Sequence, residues 1–76
     1  MIGSIELAPG HEWSRVLSHR EREVAVLVAR GFSNKEVARQ LGLREGTVKI
    51  HLHHIYRKLD VDGRYTLIDA AAIAVA

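Results

Sequence analysis

Cysteine is absent from the 76-residue sequence, and proline and tryptophan each occur once. Without cysteine the chain can form neither disulfide bonds nor thiolate metal sites. The sequence also lacks the uninterrupted apolar run that a membrane-spanning helix needs, and its first residues lack the basic and apolar regions of a signal peptide. We therefore expect a cytoplasmic protein with no role in a membrane.

A strong charge of either sign is lacking as well. Lys and Arg number 11 against 9 for Asp and Glu, which gives a net charge of +2. The positive excess lies between residues 35 and 58, where the only carboxylates are Glu36 and Glu45. Such a local excess favours an anionic partner at one surface. The cations of this segment are Lys35, Arg39, Arg44, Lys49, Arg57 and Lys58.

Catalytic patterns are missing from this short chain. Its length allows one small domain whose single core gives only marginal stability. No nucleophile, base and orienting group stand at a recognisable spacing, and no glycine-rich phosphate loop is present. We expect no enzymatic activity, no cofactor and no metal.

The clearest structural signals lie between residues 33 and 59. Ser33 and Glu36 have the spacing of a capping box, in which each residue bonds the backbone N–H of the other, so a helix should begin there. Gly42 can adopt the left-handed conformation that ends a helix. A second, longer helix is predicted over residues 45–59, because apolar residues recur there at helical spacing and should face the core. These residues are Val48, Leu52, Ile55 and Leu59.

The opposite face of this second helix is unusual. At about 100° per residue, Gly46, Ile50, His53 and Arg57 point away from the core, with Lys49 at the margin. A single exposed apolar residue such as Ile50 is common and needs no special explanation. A helix in the DNA major groove would explain it, since apolar side chains contact thymine methyl groups while cations reach guanine edges or phosphates.

Helices are also predicted on either side of this pair, so the expected fold is all-α. Ser18 and Glu21 form another possible capping box, and Gly31 is a plausible end for the helix that follows. Residues 65–76 are rich in alanine and have apolar residues on more than one face. We interpret residues 1–16 as a linker or N-terminal arm and residues 17–76 as one four-helix domain.

The ordered pattern from Leu17 to about Ala72 resembles the helix-turn-helix of the LuxR/FixJ (GerE-like) family of transcription regulators. It comprises LSHREREV, then VARGFSNKEVARQLGL, then TVKIHLHHIYRKLDV, and finally Arg64. The resemblance implies a four-helix LuxR-type domain that binds double-stranded DNA as a homodimer, with the third helix as recognition helix and the fourth as dimer contact. It further implies RNA polymerase as a partner. The family's helix-turn-helix is usually joined to a receiver or ligand-sensing domain, as in a response regulator, although a stand-alone GerE-like protein is about this small as well.

Individual roles follow from these two lines of reasoning. Lys49 and Ile50 match base-contacting positions of the family, and His53 lies where several relatives carry a base-reading residue. Helix N-termini attract phosphate, which assigns Asn34 and Lys35 to the DNA backbone. The other predicted backbone contacts are Arg44, Thr47, Arg57 and Lys58. The predicted dimer contacts are Leu67, Ile68, Ala71, Ala72 and Val75.

Two departures from the family pattern affect stability. Arg44 occupies a position where relatives usually have a Ser or Thr cap, so the recognition helix should lose about 1 kcal/mol of capping. Asp60 replaces the usual glycine after that helix, in a left-handed conformation that Asp tolerates at some cost. His53 often corresponds to a lysine, which leaves the target sequence open.

The sequence leaves two alternatives to DNA binding, a zinc site and a protein-interaction module. The spacing of His51 and His54, with His11 or His19, could hold zinc, but the chain offers no cysteine or well-placed carboxylate to complete four ligands. A helical protein-interaction module with a basic face is the more serious alternative. Salt-sensitive binding to duplex DNA, rather than a salt-resistant protein complex, would distinguish the two.

Overall fold

The computed structural model describes the backbone of residues 15–75 and the side chains of residues 15–69, and this part of the chain is helical and contains no strand. Four helices follow one another: α1 (His19–Ala29), α2 (Asn34–Leu41), α3 (Glu45–Leu59) and α4 (Arg64–Val75). The predicted all-α, four-helix class is confirmed.

Both predicted capping boxes form. The Ser18 hydroxyl accepts from the backbone N–H of Glu21 at 3.2 Å, and the Glu21 carboxylate accepts from the N–H of Ser18 at 2.9 Å. The Ser33–Glu36 pair repeats this arrangement at 3.1 and 2.8 Å. Local side-chain chemistry therefore fixes where α1 and α2 begin.

Left-handed residues fix where the first three helices end. Gly31 after α1 has φ 95°, and Gly42 after α2 has φ 68°, values that a residue without a Cβ adopts at no steric cost. After α3, Asp60 takes φ 56° and ψ 47°. The turns predicted at these three positions are confirmed, including the one where an L-residue has to adopt a conformation better suited to glycine.

Helix α1 is the central element of the core, because it packs against α2, α3 and α4. The α1 residues Val24, Ala25 and Val28 are completely buried. The core also contains Leu17, Val37, Ala38, Val48, Leu52, Ile55 and Leu67. Burying one such valine, leucine or isoleucine side chain contributes roughly 1.5–3 kcal/mol, and these contacts hold α3 against the body of the domain.

Some sequence predictions fall outside the described residues. Most of the proposed arm over residues 1–16 does, as does the packing of Trp13; residues 15 and 16 themselves have helical backbone. Between residues 15 and 75, no helix is long and apolar enough to cross a membrane.

Candidate nucleic-acid interface

The two faces of α3 have different environments. Val48 and Ile55 are fully buried and Leu52 is 4% exposed, as the spacing predicts. Leu59, the fourth residue assigned to this face, is only half-buried. On the opposite face Ile50 is 59% exposed, one of the three large apolar side chains that stand out to solvent among the described residues.

The three residues predicted to contact bases all lie on that outer face. Lys49 and His53 are exposed like Ile50, and none of the described residues covers them. They share a helix whose opposite side is anchored in the core, so their relative positions are fixed by the helix geometry. On such a face Ile50 can meet a thymine methyl group while Lys49 and His53 hydrogen-bond neighbouring bases.

The turn between α2 and α3 sets the direction of α3. The N–H of Leu43 bonds the carbonyl of Ala38 at 2.8 Å, which closes the turn after Gly42. Arg44 then adopts the extended backbone of an N-cap residue, φ −86° and ψ 150°, but its side chain makes no cap hydrogen bond. The guanidinium is exposed at the start of α3, and the predicted loss of a side-chain cap is present in the structure.

Three of the six predicted phosphate contacts are free cations. Lys35, Arg44 and Arg57 are exposed, and no described residue forms an ion pair with them. Thr47, in the first turn of α3, is half-buried. The three exposed cations lie near the start of α2 and at both ends of α3, a distribution suited to following a phosphate backbone on both sides of a groove.

Lys58 differs from the other predicted phosphate contacts. Its ammonium donates to the Glu21 carboxylate at 2.7 Å, joining the end of α3 to the start of α1. The Lys58 side chain is 44% exposed and that of Glu21 is 7% exposed. Lys58 thus has an internal carboxylate as its partner, for which a phosphate would have to compete, and its contact with DNA stays a prediction.

Glu21 is the one buried charged residue among the described residues, with only 5% of its surface exposed. Burial would raise the pKa of its carboxyl, but the hydrogen bond and charge of Lys58 and the donors of Ser18 outweigh that effect and lower the pKa. His54 Nδ1 lies 4.0 Å from the other carboxylate oxygen. Glu21 is thus an ionised buried group that fixes the orientation of α3.

Asn34 has an internal partner that the sequence did not reveal. Arg64, the first residue of α4, donates to the backbone carbonyl of Phe32 at 3.1 Å and also to the side-chain oxygen of Asn34. A cation at the first position of a helix is electrostatically unfavourable. This unfavourable position is the only sign in the sequence that Arg64 has a partner outside α4, and it does not identify that partner.

The predicted dimer contacts on α4 need one correction. Leu67 is completely buried in the core of the domain, so it is not available to a second copy. Ile68 is half-buried, whereas Tyr65, which was not predicted, is 80% exposed. The side chains of Ala71, Ala72 and Val75 lie outside the described residues. Apolar residues occur on every side of α4, so the sequence alone does not show which side packs against the core.

The histidine cluster shows no ligand geometry within residues 15–75, where no three His, Cys, Asp or Glu residues come together as a metal site would require. The rings of His53 and His54 lie 6.2 Å apart at an angle of 53°. His51 is half-buried, on a different side of α3 from His53. His11 lies outside the described residues.

Comparison with known proteins gives consistent matches. The sequence model for the luxR family of bacterial regulatory proteins matches residues 15–71. The protein YhjB of Escherichia coli strain K12 is 50% identical over 48 residues, which cover 63% of this chain and 24% of YhjB. The oxygen regulatory protein NreC of Staphylococcus carnosus is 40% identical over 57 residues, 75% of this chain and 26% of NreC.

A third relative is the nitrate/nitrite response regulator protein NarL of Escherichia coli strain K12. It is 42% identical over 48 residues, which cover 63% of this chain and 22% of NarL. The chain thus spans between 22% and 26% of the length of these three relatives. No solved structure matches the chain.

Proposed function

Since the chain belongs to the luxR family of bacterial regulatory proteins, we propose that it binds double-stranded DNA sequence-specifically and regulates transcription, with α3 in the major groove. One observation carries the proposal: Ile50 is 59% exposed at the centre of the outer face of a helix that is otherwise well anchored. Groove binding gives this apolar side chain a partner in the methyl group of thymine.

The exposed residues divide into two roles in this proposal. Lys49, Ile50 and His53 contact base edges, because they share the outer face of α3. Lys35, Arg44 and Arg57 contact phosphates and set the register of the domain, together with Asn34 and Thr47. Each phosphate that a cation neutralises contributes about −0.9 to the slope of log affinity against log salt. Because Lys58 is held by Glu21, it adds less than a free cation.

A larger assembly completes the proposal. Two copies of the chain associate through α4, with Ile68, Ala71, Ala72 and Val75 as contacts, so that two recognition helices meet two half-sites. A receiver or ligand-sensing domain is joined to this one, and bound dimers contact RNA polymerase. The description of NarL as a response regulator supports the attached domain.

The experiment that tests this function is selection of bound sequences from random duplexes, followed by sizing of the complex. We expect one enriched half-site, present twice, and a dimer on the selected duplex. Band shifts over a range of salt concentrations then give the number of phosphate contacts. Failure to retain any duplex, combined with a salt-resistant complex with another protein, would point to the interaction-module alternative instead.

Variants separate the two roles. Ile50→Ser should change which bases are selected, whereas Lys35→Met should weaken binding to all duplexes alike and reduce the salt slope by about 0.9. Val16 is a matched control for Ile50, since it is another exposed apolar side chain, at 48%. Val16→Ser should leave the selected sequence unchanged. An Ile50→Ser protein that selects the same sequence as the wild type would refute the base-contacting assignment.

A further inference from the structure

Arg64 occupies a junction between three segments of the fold. Its guanidinium bonds the carbonyl of Phe32, in the turn before α2, and the side-chain oxygen of Asn34, the first residue of α2. Burial raises the pKa of Tyr56 on α3, and the nearby charge of Arg64 opposes that rise. A single side chain from the start of α4 thus contacts the start of α2 and lies close to α3.

The contact with Arg64 determines the orientation of the Asn34 amide. An arginine has only donors, so the atom of Asn34 that faces it must be the oxygen, and the NH₂ group must point the other way. Among the described residues no hydrogen-bond acceptor takes the Asn34 NH₂ group, and no side-chain polar atom is left buried without a partner. The NH₂ group is therefore presented to the surface at the beginning of α2.

We propose that Arg64 is a positioning residue for DNA binding, which holds the Asn34 amide with its NH₂ group toward a phosphate oxygen and does not itself touch the DNA. The inference rests on the proposed function. Without the bond from Arg64, the amide rotates freely, and fixing a free side chain on binding has an entropic cost. Because Arg64 opens α4, the same bond links the proposed dimer helix to the residue that contacts the DNA backbone.

The positioning role makes a quantitative prediction for paired substitutions. Asn34→Ala removes one hydrogen bond to a charged acceptor, which corresponds to about a tenfold loss of affinity. Arg64→Met should lose a similar amount, because the amide is no longer oriented. The double variant should bind about as well as either single variant, since both remove the same contact. Sequence preference should not change in any of the three.

Salt dependence distinguishes positioning from direct contact. If Arg64 acts through Asn34, the salt slope of Arg64→Met equals that of the wild type. If Arg64 instead contacts a phosphate, the slope falls by about 0.9 and Arg64→Lys restores it. Lysine provides the charge but lacks the planar fork that reaches two acceptors, so under the positioning role Arg64→Lys remains impaired.

The experiment is a double-mutant cycle on the duplex selected above, with the whole chain and with far-ultraviolet circular dichroism to confirm folding. Arg20→Met, which removes an arginine on α1 whose partner is Glu23, is the matched control and should bind as the wild type does. If Arg64→Met does not fold, Asn34→Ala with Arg64→Lys completes the cycle. Additive losses, or a reduced salt slope in Arg64→Met, would overturn the inference. A wild-type chain that binds no duplex would overturn the proposed function itself.

Discussion

The missing side-chain cap on α3 gives a prediction whose magnitude follows from the structure. The backbone of Arg44, at φ −86° and ψ 150°, closely resembles that of the two serine caps, Ser18 at −66° and 167° and Ser33 at −73° and 165°. A serine at position 44 can therefore accept from the N–H of Thr47, three residues on, without any change of the backbone.

Arg44→Ser should stabilise the domain by about 1 kcal/mol relative to Arg44→Ala, which is the usual difference between Ser and Ala at this position. For a domain of this size that corresponds to a rise in Tm of roughly 4–8 °C. The assay is thermal unfolding followed by circular dichroism at several protein concentrations. Ser33→Ala should show the reverse change, a loss of similar size.

Arg44→Ala is the matched control because it removes the same cation without adding a cap. Both variants should bind DNA more weakly than the wild type, with salt slopes reduced by about 0.9, since both lose one phosphate contact. In Arg44→Ser the thermal stability should therefore rise through the new cap while the affinity for DNA falls through the lost cation. Equal Tm values for the two variants would show that the start of α3 is not limited by its cap.

Three further substitutions test other features. Glu21→Gln should lower the free energy of unfolding by about 1–2 kcal/mol at pH 7, a modest loss because the partner Lys58 is partly exposed and solvent screens the pair. The lowered pKa of Glu21 means that the wild type loses this stability as pH falls from about 4.5 through the folded-state pKa, so urea unfolding should show a weaker acid dependence in the variant. Asp60→Gly should raise stability by about 1 kcal/mol in the same assay, because glycine adopts φ 56° without strain; no change would show that Asp60 is unstrained. Leu67→Ala should cost about 2–5 kcal/mol at every protein concentration, as expected for a core residue rather than a dimer contact.

Features that depend on neighbouring residues could be predicted from the sequence. A capping box needs two side chains three positions apart, and a left-handed glycine needs one residue, so Ser33, Gly42 and the bounds of the helices were readable. The outward direction of Ile50 was also readable, since it follows from helical periodicity and four apolar anchors. Local chemistry and periodicity together determine most of the fold and the central part of the candidate interface.

Contacts between distant residues could not be predicted in the same way. Lys58 meets Glu21 across 37 positions, and Arg64 meets Asn34 across 30. Each pair depends on how two helices cross. The sequence does not distinguish a charged residue that is exposed from one that has a partner inside the fold. The family resemblance placed Arg64 within the pattern but gave it no role. Leu67 was misassigned for a related reason, because its helix is apolar on every side.

The two hydrogen bonds that one oxygen of Glu21 accepts affect how the helix ends fray. Oε1 accepts both the backbone N–H of Ser18 and the ammonium of Lys58. The first turn of one helix and the last turn of another are therefore tied at a shared atom, so neither end can fray without disturbing the other. The amide protons of Ser18 and Glu21, both bonded within this arrangement, should exchange with solvent more slowly than the unpaired amides usual at helix ends.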